Sequence, residues 1–399
     1  MTFLTSDLRN DYPALRFSSP SGNPLTYLDS AATALKPQIV IDAVTDALGR
    51  YSAGIHRSVH FLGDESTERF EATRLSVARW LGAQEHEIIF TRNTTESLSY
   101  VAQGWPDDRR IIVSATDHHS CILAWDIGKT TIVPPLPDGS MDEESIVKEI
   151  SKGDVGIVAV SHLSNVTGMS PDVRALATAV HSHGAILVLD AAQSAPHGPL
   201  DVAELDCDFL AFSGHKLGAP AGVGVLYGRA GHLRRLQPIN RGGGSVETVA
   251  GVQSTWKSVP WRFESGSPAI ESVFGLQAIL EYLWDIDTEM IASHLASLRS
   301  YALDRVYSIP GVRVLGSLDS KSKGPLSFVI EGQSSHVLAR SLSDAYGICV
   351  RSGFHCTQPL HDASRCAPSL RLSFYVYSQP EEIDRTVDAL KRLVRASPR

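Results

Sequence analysis

The sequence predicts an α/β protein: a large, mostly parallel sheet covered on both faces, with a smaller α+β lobe beside it. Three observations carry that prediction. Apolar runs rich in Val, Ile and Leu at 110–114, 156–161, 185–190, 209–213 and 222–228 read as buried strands, some separated by helix-like stretches such as 171–183. Strands that stay apolar throughout, rather than alternating, belong to parallel sheets buried on both sides. Helix starts are well marked: Asp64 leads into a helix reaching Leu81, with Gly82 after it, and Ser170-Pro171 opens another. After about residue 267 the pattern changes. Helical stretches at 270–286 and 290–306 precede strands at 325–330 and 370–376, and a last helix spans 381–394. The expected division is a large lobe at 21–266 and a small lobe made of 1–20 and 267–399.

Composition narrows the class. The chain has 399 residues, with 36 Lys and Arg against 44 Asp and Glu, for a net charge of −8. A nucleic-acid binder needs a basic excess, so nucleic acid is not an expected partner. No run approaches the roughly 20 apolar residues of a membrane span. The first ten residues lack a basic flank leading into an apolar run, so neither a signal peptide nor a membrane is expected, and the expected location is cytoplasmic. Five cysteines, an odd number without tight spacing, argue against a disulfide framework.

The chemistry centres on Ser213-Gly214-His215-Lys216, directly after an expected strand. Ligand sites in α/β sheets form outside the carboxyl ends of strands, and a partly desolvated lysine there is able to condense with an aldehyde cofactor. Asp190 closes another apolar strand. A carboxylate in that position suits a pyridinium nitrogen, whose protonation makes the ring an electron sink. Thr95, near the start of a helical stretch after the strand-like 87–90, offers a hydroxyl and free backbone N–H groups to a phosphate. Ser213 and His215 are further candidates for that phosphate.

Several motifs now stand in order: Tyr27-Leu28-Asp29-Ser30-Ala31-Ala32, His56-Arg57, Thr94-Thr95-Glu96, Asp117-His118-His119, Ser161 to Gly168, Asp190-Ala191-Ala192-Gln193 and Ser213-Gly214-His215-Lys216. With them the chain resembles, nearly end to end, the pyridoxal-phosphate (PLP) enzymes of the aspartate-aminotransferase fold (fold type I), class V branch. Within that branch it is most similar to the cysteine desulfurases and selenocysteine lyases of the group II type. The resemblance implies that Lys216 holds the cofactor and shuttles protons, and that Asp190 faces the ring nitrogen and Gln193 the ring oxygen. His118 would stack on the ring, with Asn165 near the ring oxygen and the substrate. Thr95, Ser213 and His215 would bind the phosphate, completed by Gly242 and Ser267 of a neighbouring subunit, which implies a homodimer. Ser267 stands where the family usually has Thr. His56 joins the residues implied near the substrate.

Arg351-Ser352-Gly353-Phe354-His355-Cys356-Thr357-Gln358-Pro359 resembles the desulfurase loop that carries a nucleophilic cysteine. A thiolate needs a lowered pKa to act, and Arg351 and His355 are neighbours expected to help. Arg371 matches the family arginine that grips the substrate α-carboxylate, a task for a bidentate guanidinium, and Arg351 is a second candidate for substrate contact. Two departures stand out: Phe354, where the loop often has a second His and where an aromatic wall is expected, and Ser378 in place of a common Asn. A metal cluster of His355, Cys356, His361 and Cys366 is disfavoured, since a metal-bound thiolate is not free to attack. Cys121, Cys207 and Cys349 read as core residues. The leading expectation is a desulfurase turning L-cysteine into L-alanine, with a persulfide on Cys356 passed to a sulfur-acceptor protein. A C–S or C–Se lyase, aminotransferase or epimerase that does without Cys356 is the alternative in the same chemistry. A non-catalytic PLP-fold partner protein is the alternative from another class.

Overall fold

A computed structural model describes residues 2–251, 253–316 and 323–396. Among the described residues a seven-stranded sheet runs in the order Ile88–Thr91, Gly224–Gly228, Phe209–Ser213, Ile186–Asp190, Val155–Ser161, Arg110–Ser114, Thr130–Val133. Gly224–Gly228 is antiparallel to both its neighbours and the other pairings are parallel. Six strands therefore point the same way, and the residues that follow Thr91, Ser114, Ser161, Asp190 and Ser213 collect along one edge. Every residue of the strands Val155–Ser161, Ile186–Asp190 and Phe209–Ser213 is buried, as a sheet covered on both faces requires.

A four-stranded antiparallel sheet, ordered Val312–Val314, Leu326–Ile330, Ser369–Leu372, Arg351–Gly353, forms the second layer system. The helix Pro380–Ala396 buries Ile383, Val387 and Leu390 along one stripe, the i, i+4, i+7 spacing of an amphipathic helix. The start of the chain joins this lobe: Arg9 pairs with Glu382 at 2.9 Å and donates to the Tyr377 carbonyl at 2.7 Å. The helix Ile270–Asp285 packs on Gln38–Arg50 and Phe61–Leu81, so one core continues across residue 267, where we propose that the lobes divide.

Two helix starts differ from expectation. The helix placed at Asp64 begins at Phe61, because the His60 side chain caps it by accepting from the Gly63 N–H. The helix placed at Pro171 begins at Val173, with the Asp172 carboxylate accepting from the Ala175 N–H at 3.0 Å. The strand expected over 370–376 ends at Leu372. There the chain turns, Ser373 N–H bonding to the Leu28 carbonyl and Ser378 Oγ accepting from the Tyr375 N–H.

Candidate active site

Lys216 sits in a one-turn helix, Gly214–Leu217, immediately after the strand that ends at Ser213. Close packing requires glycine here: a Cβ on Gly214 would lie 2.8 Å from Val223 Cγ1, and one on Gly224 would lie 2.5 Å from Asn93 Cα. The second approach brings the turn before the helix Thr94–Gly104 against the Lys216 turn. Ser213 Oγ accepts from the Thr94 N–H at 2.8 Å and meets Thr94 Oγ1 at 2.7 Å. The result is a cavity of about 440 Å³ at the carboxyl edge of the sheet.

Its floor is charged and buried. Asp190 is buried, its Oδ1 accepts from the Ala192 N–H at 2.9 Å, and burial raises its pKa, against the pull of Lys216. Lys216 is itself lowered to about 8 by burial, with Asp190 opposing. Beside them Asp117 is fully buried and pushed up to about 7 by burial, though it accepts from the Ser114 and Ser161 N–H groups at 2.8 Å each. Those two bonds tie adjacent strand ends together and set the chain direction into His118. The His118 Nδ1 accepts from the Ser120 N–H, and Ser120 Oγ continues to Thr95 Oγ1 at 2.7 Å. Burial and the positive charge of Lys216 lower His118 to about 3, so its ring is neutral. Gln193 donates to the Ala31 carbonyl at 2.9 Å and lines the cavity with His215.

The opposite wall comes from the small lobe. Cys356 is the exposed member of the five cysteines; Cys121, Cys207 and Cys366 are buried and Cys349 is half-buried. Both His355 and Cys356 are left-handed, at φ 53° and 57°, a conformation that costs about 1–3 kcal/mol per residue unless its surroundings enforce it. They do enforce it. Asn165 Nδ2 donates to the His355 carbonyl at 2.7 Å, the His119 N–H to the Cys356 carbonyl at 2.7 Å, and Thr357 Oγ1 to Asn165 Oδ1 at 3.1 Å. Asn165 was expected beside the ring oxygen. It does line the cavity, but its amide is committed to this loop. Asn165→Ala is expected to free this loop, and faster amide hydrogen exchange at His119 and Thr357 checks it.

His355 does not help the thiolate in the way the sequence implied. It is buried, its Nε2 meets Ser369 Oγ at 2.9 Å, and burial together with Arg371 drives its pKa down, so it carries no charge. Cys356 lines the same cavity as Lys216, Arg351 and Arg371. Phe354 forms no wall of the cavity; it packs edge-on against His361, ring centroids 5.3 Å apart. Ser378 is fully buried in its turn.

His56, Gly242 and Ser267 lie elsewhere in the chain. His56 is bound to Glu71 at 2.8 Å, and His56 and Ser267 line a second cavity of about 930 Å³ with Arg57, Arg92, Arg241 and Lys257. Gly242 is exposed in the adjoining loop. Thr94, Ser120 and Asp117 were given no role by sequence reasoning. Thr94 was findable as the first helical residue after the Asn93 cap; Asp117 and Ser120 act through backbone and hydroxyl contacts that no spacing reveals.

The chain belongs to the aminotransferase class-V family, whose profile matches residues 26–386. Within it the chain stands among the cysteine desulfurases. It is 42% identical over 384 residues to the "Probable cysteine desulfurase" of Halalkalibacterium halodurans, covering 93% of this chain and 94% of that one. It is 36% identical over 407 residues to the "Cysteine desulfurase" of Haloferax volcanii, covering 96% and 95%. The crystal structure of the cysteine desulfurase CsdA (S-sulfonic acid) from Escherichia coli superposes with a TM-score of 0.89 at 35% identity, covering 99% of both chains. Pyridoxal phosphate is the cofactor of this fold and family, and the residues present fit it. A buried carboxylate, a lysine with a lowered pKa and a serine-threonine turn at a helix start match ring nitrogen, aldehyde and phosphate in turn.

Proposed function

We propose that this chain takes L-cysteine to L-alanine and retains the sulfur as a persulfide on Cys356. The observation that carries the reading is Cys356 itself, exposed on a pinned loop at the wall of the cavity that holds Lys216, Asp190 and Arg371. Pyridoxal phosphate, when bound, supplies an electron sink next to the substrate Cα. In this reading Lys216 holds the cofactor and moves protons, Asp190 faces its ring nitrogen, Gln193 its ring oxygen, and neutral His118 its face. Thr95, Ser213 and His215 take the phosphate. Arg371 grips the α-carboxylate, with Arg351 beside it. The Cys356 thiolate attacks the substrate sulfur, an S–S bond forms and the C–S bond breaks. The electron pair of that bond leaves with the carbon skeleton, which takes up a proton at Cβ. Mass spectrometry of the holoenzyme after L-cysteine turnover without reductant should find an added sulfur atom on Cys356. Alanine formation with no sulfur there overturns the reading in favour of a lyase.

The sulfur then passes to an acceptor protein in the cytoplasm. Exposure of His56, Gly242 and Ser267 around the second, cation-rich cavity supports a homodimer in which one subunit completes the other's phosphate site. Sedimentation should give a dimer, and an active monomer would contradict it.

The lowered Lys216 pKa carries a pH prediction. Capture of the cofactor aldehyde needs the free amine. At a pKa of about 8 the free fraction at pH 7 is roughly 0.1, against about 3 × 10⁻⁴ at the ordinary value of 10.5. Covalent uptake by the cofactor-stripped chain should fall about tenfold per pH unit below 8 and level off above it. A midpoint near 10.5 would contradict the desolvated lysine.

A further inference from the structure

Arg351 and Arg371 stand directly opposite each other on adjacent antiparallel strands, a position in which like charges destabilise a sheet. Both line the Lys216 cavity. Arg371 is almost wholly buried, with 3% of its side chain exposed, whereas Arg351 is 49% exposed. The charge that reconciles them comes from near the start of the chain. Asp29 receives Arg351 as a fork, Nε at 3.2 and 3.1 Å from its two oxygens and Nη2 at 3.0 Å from Oδ2. The same carboxylate receives Arg371 Nη2 at 3.2 Å, and Arg371 Nη1 donates to the Asn165 carbonyl at 3.2 Å. Asp29 has little freedom to follow its partners. The Leu28 N–H bonds to the Cys349 carbonyl at 2.9 Å, the Leu28 carbonyl accepts from Ser373 N–H at 2.9 Å, and the Asp29 carbonyl accepts from Ala32 N–H at 3.0 Å.

We propose that Asp29 is the positioning residue that aims Arg371, and with it Arg351, at the substrate α-carboxylate; this rests on the reading that Arg371 grips that group. Two guanidiniums and one carboxylate leave a single surplus positive charge in the cavity wall. One substrate carboxylate neutralises it, which matches the site to amino acids carrying one such group at that end. A guanidinium has five N–H donors, and the bonds to Asp29 and Asn165 hold its plane while leaving donors for the incoming anion. Without Asp29 the two arginines repel, and the exposed one is free to swing toward water.

The test compares Asp29→Asn, Asp29→Glu and Arg371→Lys holoenzymes. For L-cysteine, Asp29→Asn should raise KM about 10- to 100-fold, the range of a lost charge-assisted hydrogen bond, with kcat within about threefold. Asp29→Glu keeps the charge and should recover most of that loss. Binding of L-alanine and of ethylamine, followed by the cofactor absorbance, separates positioning from packing. Asp29→Asn should weaken L-alanine alone, because ethylamine has no carboxylate; a merely structural loss weakens both. Unchanged KM in Asp29→Asn, or equal weakening of both ligands, overturns the proposal. If Asp29→Asn fails to fold, Asp29→Ser reads the same quantity, since it too removes the carboxylate and should weaken L-alanine but not ethylamine. Unchanged KM in Arg371→Lys overturns the reading of Arg371 itself, and the Asp29 proposal with it.

Discussion

Cys356→Ala is expected to lower alanine release from L-cysteine by about 10³-fold, the scale on which removing a nucleophile acts. The effect should be chemical and not structural. The loop is fixed through the His355 and Cys356 carbonyls and the Thr357 N–H and hydroxyl, none of which the substitution removes. Alanine is no less comfortable than cysteine at φ 57°. Stability should therefore change by less than about 0.5 kcal/mol, as for an exposed side chain, and the cofactor spectrum should be retained. Steady-state alanine assays beside thermal melts make the comparison. Full alanine production by the variant, with reductant and acceptor supplied, would remove Cys356 from the reaction.

Lys216→Ala is expected to cost more, about 10⁴-fold or greater in turnover, because in the proposed reaction one side chain both holds the cofactor and moves protons. Lys216→Arg sharpens the point. It keeps a positive charge opposite Asp190 but offers no amine for covalent capture, so it should be as inactive as the alanine variant. Borohydride reduction followed by mass spectrometry should find cofactor mass on the unmodified chain and none on either variant. Substantial turnover by Lys216→Arg would mean that charge, not covalency, is what position 216 supplies.

The parts of this molecule that are driven by burial could be read in the sequence. Arg110–Ser114 and Phe209–Ser213 form over the residues expected, since an unbroken apolar run has one satisfactory place in a covered sheet. The edge strand Thr130–Val133 was missed because three of its four residues are not buried, and its pattern is correspondingly weak. The strand Arg351–Gly353 falls in a stretch expected as loop. It carries no apolar signal, being Arg-Ser-Gly, and Arg351 in it works as an ion-pair partner. In the site, Lys216 and Asp190 were visible as strand-end residues, as the fold positions ligands there. His355 was misjudged because sequence neighbourhood to Cys356 does not tell which way a side chain points. With left-handed backbone at both residues, His355 lies buried against Ser369 and His361 while Cys356, next in the chain, is exposed. Asn165 clamping the loop, and Asp29 joining two arginines, depend on contacts across 190 and 322 or more residues, which no local pattern encodes.

Those separations bear on how the protein is made. Asp29 and Arg371 are 342 positions apart, and so are Ala31 and Ser373, whose N–H and hydroxyl meet beside them. At a synthesis rate of about 5–20 residues per second, a nascent chain carries Asp29 for roughly 17–70 s before its second arginine exists. The large sheet, complete by Gly228, has all its strands well within that interval. The wall that carries Arg351 and Arg371 is thus among the last parts of the chain to be assembled, and a ribosome stalled after the sheet would leave a cofactor pocket without the residues proposed to hold substrate and receive its sulfur.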